Sequence, residues 1–160
     1  MRADWLLIPL LLAADAAAAT PRTTGIWGRW GAFERAGACY AISEPERTAG
    51  RSEGSPFAAI SFWRDGRSRG QLHIRLSRAK RPGSALILRV DGRTFQLRGG
   101  DREAWAIDAA ADAAIARSLR GGSIMSIETR SAAGALIRDH YSLRGAATAI
   151  DAAALACRPR

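Results

Sequence analysis

Short runs of alternating apolar and polar residues, separated by turn signals, constrain this chain most. Gln71–Arg78 is the clearest case: Leu72, Ile74 and Leu76 fall on one side of an extended strand, and His73, Arg75 and Ser77 on the other. Leu86–Val90, Asp91-Gly92 and Arg93–Arg98 form the strongest hairpin signal. Asp-Gly between two such runs fits a two-residue type I′ turn, which needs φ > 0 at both central residues. Further runs cover Ile26–Phe33, Cys39–Ser43 and Phe57–Arg64, with a polar loop over Glu44–Pro56. Ser123–Arg130 and Ala135–Ser142 read as a second hairpin around Ser131–Gly134. Many short strands between regularly spaced turns indicate a mainly β, antiparallel, sandwich-like single domain.

Two segments break the strand pattern. Asp108 can cap a helix over Ala109–Leu119, with Ala111, Ile115 and Leu119 on one face and Gly121 closing the end in a left-handed conformation. A second helix runs over Ala146–Ala156, with Ala146, Ile150, Ala153 and Cys157 sharing a face and Asp151 outside it.

Residues 1–19 carry the parts of a cleavable secretory signal. Arg2 and the amino terminus give a positive start. Trp5–Ala14 is an apolar stretch too short to span a bilayer, and Ala17-Ala18-Ala19 places cleavage before Thr20. Residues 20–160 then form the domain, in the periplasm or secreted. Cys39 and Cys157 are the whole cysteine inventory. In an oxidising compartment such a pair reads as a disulfide; buried free thiols or a reactive thiol are the alternatives.

Charge and chemistry are less specific. The formal charge is +9, and losing Arg2, Asp4 and Asp15 with the leader raises it to +10. Such a charge attracts anions. Lys80 is the only lysine among many arginines, so a coding bias competes with function as the cause. Arg64, Arg67, Arg69, Arg75, Arg78, Lys80 and Arg81 crowd one window and form the candidate polyanion-binding set. Trp63 beside them is either core or a stacking platform.

No catalytic set is assigned. Asp139, His140 and Ser142 are the residue types of a triad, but on a strand Asp139 points away from His140 and cannot orient its ring. No paired Cys or His spacing marks a metal site, and no cofactor motif occurs. His73 reads as solvent-facing. The acids Glu44, Glu46, Glu53, Asp65, Asp91 and Asp101 sit in loops and turns.

Gly134, the segment Asp139-His140-Tyr141-Ser142-Leu143-Arg144-Gly145 and an Ala-rich helix ending at Cys157 together resemble the invasion-associated locus B (IalB) family of alphaproteobacterial envelope proteins. That family has a Gly, a D-x-Y-S-L-x-G segment and a helix with a terminal Cys. Trp27 and Trp30 before Cys39, and Ala104-Trp105 before a helix closed by Gly121, match further landmarks. The resemblance implies a β-sandwich-like domain outside the cytoplasm and, in pathogenic members, a role in association with host cells. It transfers no catalytic residue.

The reading is a non-enzymatic envelope protein that binds an envelope or extracellular partner; the sequence does not name it, and the candidates are an anionic envelope component (lipopolysaccharide or an acidic glycan) and an envelope protein. Nucleic acid is not the expected partner. A small cell-wall glycan hydrolase or lyase, and a periplasmic carrier or chaperone for an anionic ligand, are the alternatives.

Overall fold

The computed structural model describes residues 20–67 and 69–158, with the side chain of Arg69 outside that description. The leader expected over residues 1–19 lies outside it as well.

Among the described residues, eleven strands and two helices form. The strands are β1 (Arg22–Trp27), β2 (Trp30–Arg35), β3 (Ala38–Ser43), β4 (Arg47–Thr48), β5 (Phe57–Trp63), β6 (Arg69–Arg75), β7 (Leu86–Val90), β8 (Arg93–Gly100), β9 (Glu103–Ala106), β10 (Ile124–Arg130) and β11 (Leu136–Ser142). The helices are α1 (Ala109–Gly121) and α2 (Ala146–Ala156). All strands join one antiparallel sheet in the order β1-β2-β3-β5-β6-β9-β8-β7-β10-β11-β4. The last strand in that order, β4, follows β3 in the chain after only Glu44–Glu46, so the sheet must curl back on itself. Backbone bonds from Glu46 to His140 and from Ala49 to Arg138 (2.7 and 2.9 Å) hold that return. The curled sheet gives the sandwich-like form, with inner residues of both halves sharing one core.

Alternation decides which side chains enter that core. Leu72, Ile74 and Leu76 are fully buried, as are Ile60, Leu88 and Ile127 on neighbouring strands. α2 lies on β1, β2, β3 and β5, and α1 on β6, β8 and β9, each against the inner face. α1 buries Ile115 and Leu119; α2 buries Ala146, Ala149, Ile150 and Ala153.

Several local expectations need correction. Ile26–Phe33 is not one strand: Gly28, at φ 59°, turns the chain between Trp27 and Trp30, which pair directly. At the Asp91-Gly92 turn only Asp91 has positive φ (48°), the pattern of a type II′ rather than a type I′ hairpin. Asp91 is held there because its carboxylate accepts from the backbone N–H of Ser123 and Ile124 (3.1 Å each), tying the turn to β10. Gly121 is the last residue of α1, and the cap, Gly122, is extended rather than left-handed.

Candidate binding face

The sheet's outer face brings together residues from five strands. Cross-strand pairing aligns Ile42 with Ala59, Ala59 with His73, His73 with Trp105, and Trp105 with Arg98. Ile42, His73 and Trp105 alternate with buried neighbours on both sides and so face outward; Arg98 is exposed, and Ala59 continues the row as a small, covered residue. The row passes from apolar to aromatic to cationic across β3, β5, β6, β9 and β8.

At its centre the His73 and Trp105 rings are stacked, 5.3 Å apart and within 2° of parallel. The Phe57 ring meets His73 edge-on at 5.1 Å. Glu103, on β9, accepts at one carboxylate oxygen from Arg75 Nε (2.8 Å), and its other oxygen lies 2.5 Å from His73 Nε2. Burial pushes the Glu103 carboxyl up, but the hydrogen bonds and charges of Arg75 and His73 outweigh it and hold the carboxyl below its ordinary range. The Arg75 guanidinium also sits 5.3 Å over the Phe57 ring. His73 is therefore not simply a solvated histidine. It is the hub of an aromatic and charged cluster.

The described members of the basic set singled out in the sequence have separate partners. Arg64 pairs with Glu34. Arg67 lies 5.0 Å over the Trp63 ring and pairs with Asp65. Arg75 belongs to the cluster just described. Arg78 donates to the carbonyls of Ala49 and Leu136. Lys80 is buried, and its ammonium donates to the Arg81 carbonyl (3.0 Å). Arg81 reaches the Ala132 carbonyl (3.5 Å). β6, about 20 Å long, lies between Arg67 and Arg78 in the chain. Arg69 contributes only its backbone to this description.

Asp139, weighed in the sequence only as a triad residue type, is fully buried. Its carboxylate accepts from Ser77 N (2.8 Å) and Ser77 Oγ (2.5 Å), joining β11 to the chain after β6. Burial raises its carboxyl above the ordinary value even against those hydrogen bonds. The folded chain thus holds that proton more tightly than the unfolded chain. Its contribution favours folding at acid pH and is lost as pH rises through the raised folded pKa. The signal was legible: Ile137, Asp139 and Tyr141 share a strand face. Asp139 serves Ser77, while His140 lies on the opposite side, so the three triad residue types are not assembled.

Glu103 and Arg98 were missed. β9 has four residues, too few for an alternating pattern, and Arg98 matters only because pairing sets it beside Trp105. Cys39 and Cys157 were placed correctly: their Cα atoms lie 5.6 Å apart and the sulfurs sit at disulfide distance.

No family model, curated protein or solved structure matches this chain.

Proposed function

We propose that this chain is an exported, non-enzymatic envelope protein, akin to the IalB family it resembles, that binds an anionic envelope or extracellular component through the outer face of its sheet. The observation that carries this reading is the row His73–Trp105–Arg98, flanked by Phe57, Arg75 and Glu103. Rings and guanidinium groups held in fixed register on a solvent-facing sheet make a recognition surface. The placement of Cys39 against Cys157 supports an oxidising destination, and the net charge of +9 supports an anionic partner. Among the described residues no helix is long and apolar enough to cross a membrane.

The binding reading is favoured over glycan hydrolysis by how the carboxylate of the cluster is used: one Glu103 oxygen accepts from Arg75 Nε (2.8 Å) and the other lies 2.5 Å from His73 Nε2, so both are already engaged.

Chromatography on immobilised lipopolysaccharide and heparin tests the proposal. Retention of the exported protein should fall steeply as salt rises, because screening shortens electrostatic reach to about 8 Å at physiological ionic strength. Arg67→Ser with Arg75→Ser should elute earlier. A wild-type protein that passes straight through both columns overturns the reading.

A further inference from the structure

The outer face is bounded by a trough. β9 ends at Ala106, so β6 and β8 are left without a strand between them beyond that point. α1 enters the gap and satisfies the backbone there, its Asp112 accepting from Leu72 N. What remains is a pair of abutting depressions that share Gln71 and Arg98. One, of about 450 Å³, lies against Trp105 and Gly99. The other, of about 420 Å³, runs on to Arg67 and the start of α1 at Asp108 and Asp112.

Three features make this trough a ligand site. The first is an aromatic side chain: Trp105 lines the depression, and His73, stacked against its ring, does not. The second is an oriented cation. Arg98 is aimed by a bond from Nε to the Ala106 carbonyl (3.0 Å), and among the described residues its terminal nitrogens have no hydrogen-bond partner. The third is Gly99, which adds no side chain beside Trp105. At Gly99, with φ 155°, a Cβ would lie 2.0 Å from the Glu103 carbonyl oxygen, so the backbone admits only glycine where the trough passes Trp105.

We propose that this trough binds an acidic oligosaccharide of the uronate type, a deepening that rests on the binding reading above. The apolar C–H face of a pyranose ring lies on Trp105. Its carboxylate takes the fork of Arg98 in a bidentate pair. Gln71 offers both a donor and acceptors to ring hydroxyls, and Asp108 and Asp112 retain lone pairs that accept hydroxyl protons further along. Arg67, held over Trp63, supplies a second cation at the far end. Each depression lies within the range of ordinary ligand pockets, and two in line fit a chain of rings rather than one. The mixture of acids and arginines decides between polymers. A single-stranded DNA carries a negative charge on each residue, as a uronate chain does, but its backbone offers Asp108 and Asp112 no hydroxyl donors. A uronate chain brings its charge with hydroxyl donors that those carboxylates accept.

Calorimetric titration of the exported protein with tetragalacturonate, its neutral galactose counterpart and an oligothymidylate tests the assignment. Tetragalacturonate should bind best, the neutral chain about tenfold more weakly. Trp105→Ala should weaken uronate binding about tenfold through lost stacking, and Trp105→Phe should restore most of it in a side chain that still fits the sheet. Arg98→Gln should erase the preference for the acidic chain while leaving the neutral one unchanged. Wild-type affinity in both Trp105→Ala and Arg98→Gln overturns the site, as does tighter binding of oligothymidylate than of uronate. If the wild type is retained on lipopolysaccharide yet shows no uronate binding, the trough assignment alone fails. If it is not retained at all, the broader reading fails first.

Discussion

The two helices pack on the same inner face of one sheet but are held there by opposite means. α1 is specified locally. Asp108 accepts from Ala111 N at its start, Asp112 reaches Leu72 N on β6, and Ile115 and Leu119 are large buried anchors. α2 has no side-chain cap: Gly145 precedes it at φ 90°. Three of its four buried residues are alanines, which remove little apolar area from water. Small side chains let the helix backbone approach the sheet closely, and its attachment comes from the ends. At one end Gly145 lies against the Trp27 carbonyl and Trp30 Nε1 donates to the Ser142 carbonyl (2.9 Å). At the other end Cys157 meets Cys39. A helix can thus be made stable by its own side chains or by what grips its termini, and this protein uses one of each.

Removing the covalent grip should have the largest effect. The Cys39–Cys157 bridge spans a sequence separation of 118, for which chain-entropy reasoning gives about 4–5 kcal/mol as an upper figure. Cys157→Ser should lower the thermal midpoint, and amide exchange should speed up first in residues after Gly145. Mass spectrometry of the oxidised protein should find no free thiol. Two free thiols, or unchanged exchange in α2 after the substitution, would show that packing holds α2 after all.

Next comes the other terminus. A Cβ at position 145 would lie 1.9 Å from the Trp27 carbonyl oxygen, and the backbone there is left-handed. Gly145→Ala should cost about 1–3 kcal/mol in backbone strain alone, measured by denaturant unfolding. It should also loosen β1, since the clash pushes on Trp27. A loss confined to α2 would separate the two.

On α1 the matching test is its cap. Asp108→Ala should destabilise by about 1 kcal/mol and leave α2 exchange as in wild type. A larger loss, shared by both helices, would mean that α1 also depends on its terminus more than on Ile115 and Leu119.

The smallest effect lies where the helices meet. Arg120 and Asp151 pair at 2.8 Å on an exposed surface. A double-mutant cycle between Arg120→Ala and Asp151→Ala should give a coupling of about 0.5 kcal/mol or less. A coupling several times greater would make the two helices one unit rather than two independently held ones.

Which parts of this molecule were legible beforehand follows from the range of the interactions involved. Alternation at Leu72–Leu76, the cap at Asp108 and the shared face of Ile150 and Ala153 are short-range patterns, and the strands and helices formed where those patterns lie. Where a decision rested on contacts distant in the chain, local pattern failed. Gly28 turns the chain in the middle of an apolar run because the Trp27–Trp30 pair and the Arg144–Gly145 backbone accommodate it. β4 and β9 are too short to carry a period of their own and exist because β11 and β6 supply partners.

The same division runs through the candidate site. Local pattern was enough for most of the strands, for both helices, for the outward facing of His73 and Arg75, and for the pair of cysteines able to join. The sequence also crowded basic residues into one window, but crowding along a strand is separation in space, since each residue adds about 3.3 Å. Only the tertiary structure decided that Arg98 and Gln71 flank Trp105, that Lys80 is buried and that Asp139 serves Ser77. Those outcomes depend on which strands become neighbours, and β-sheet pairing joins segments through backbone hydrogen bonds that carry no trace in the order of the residues.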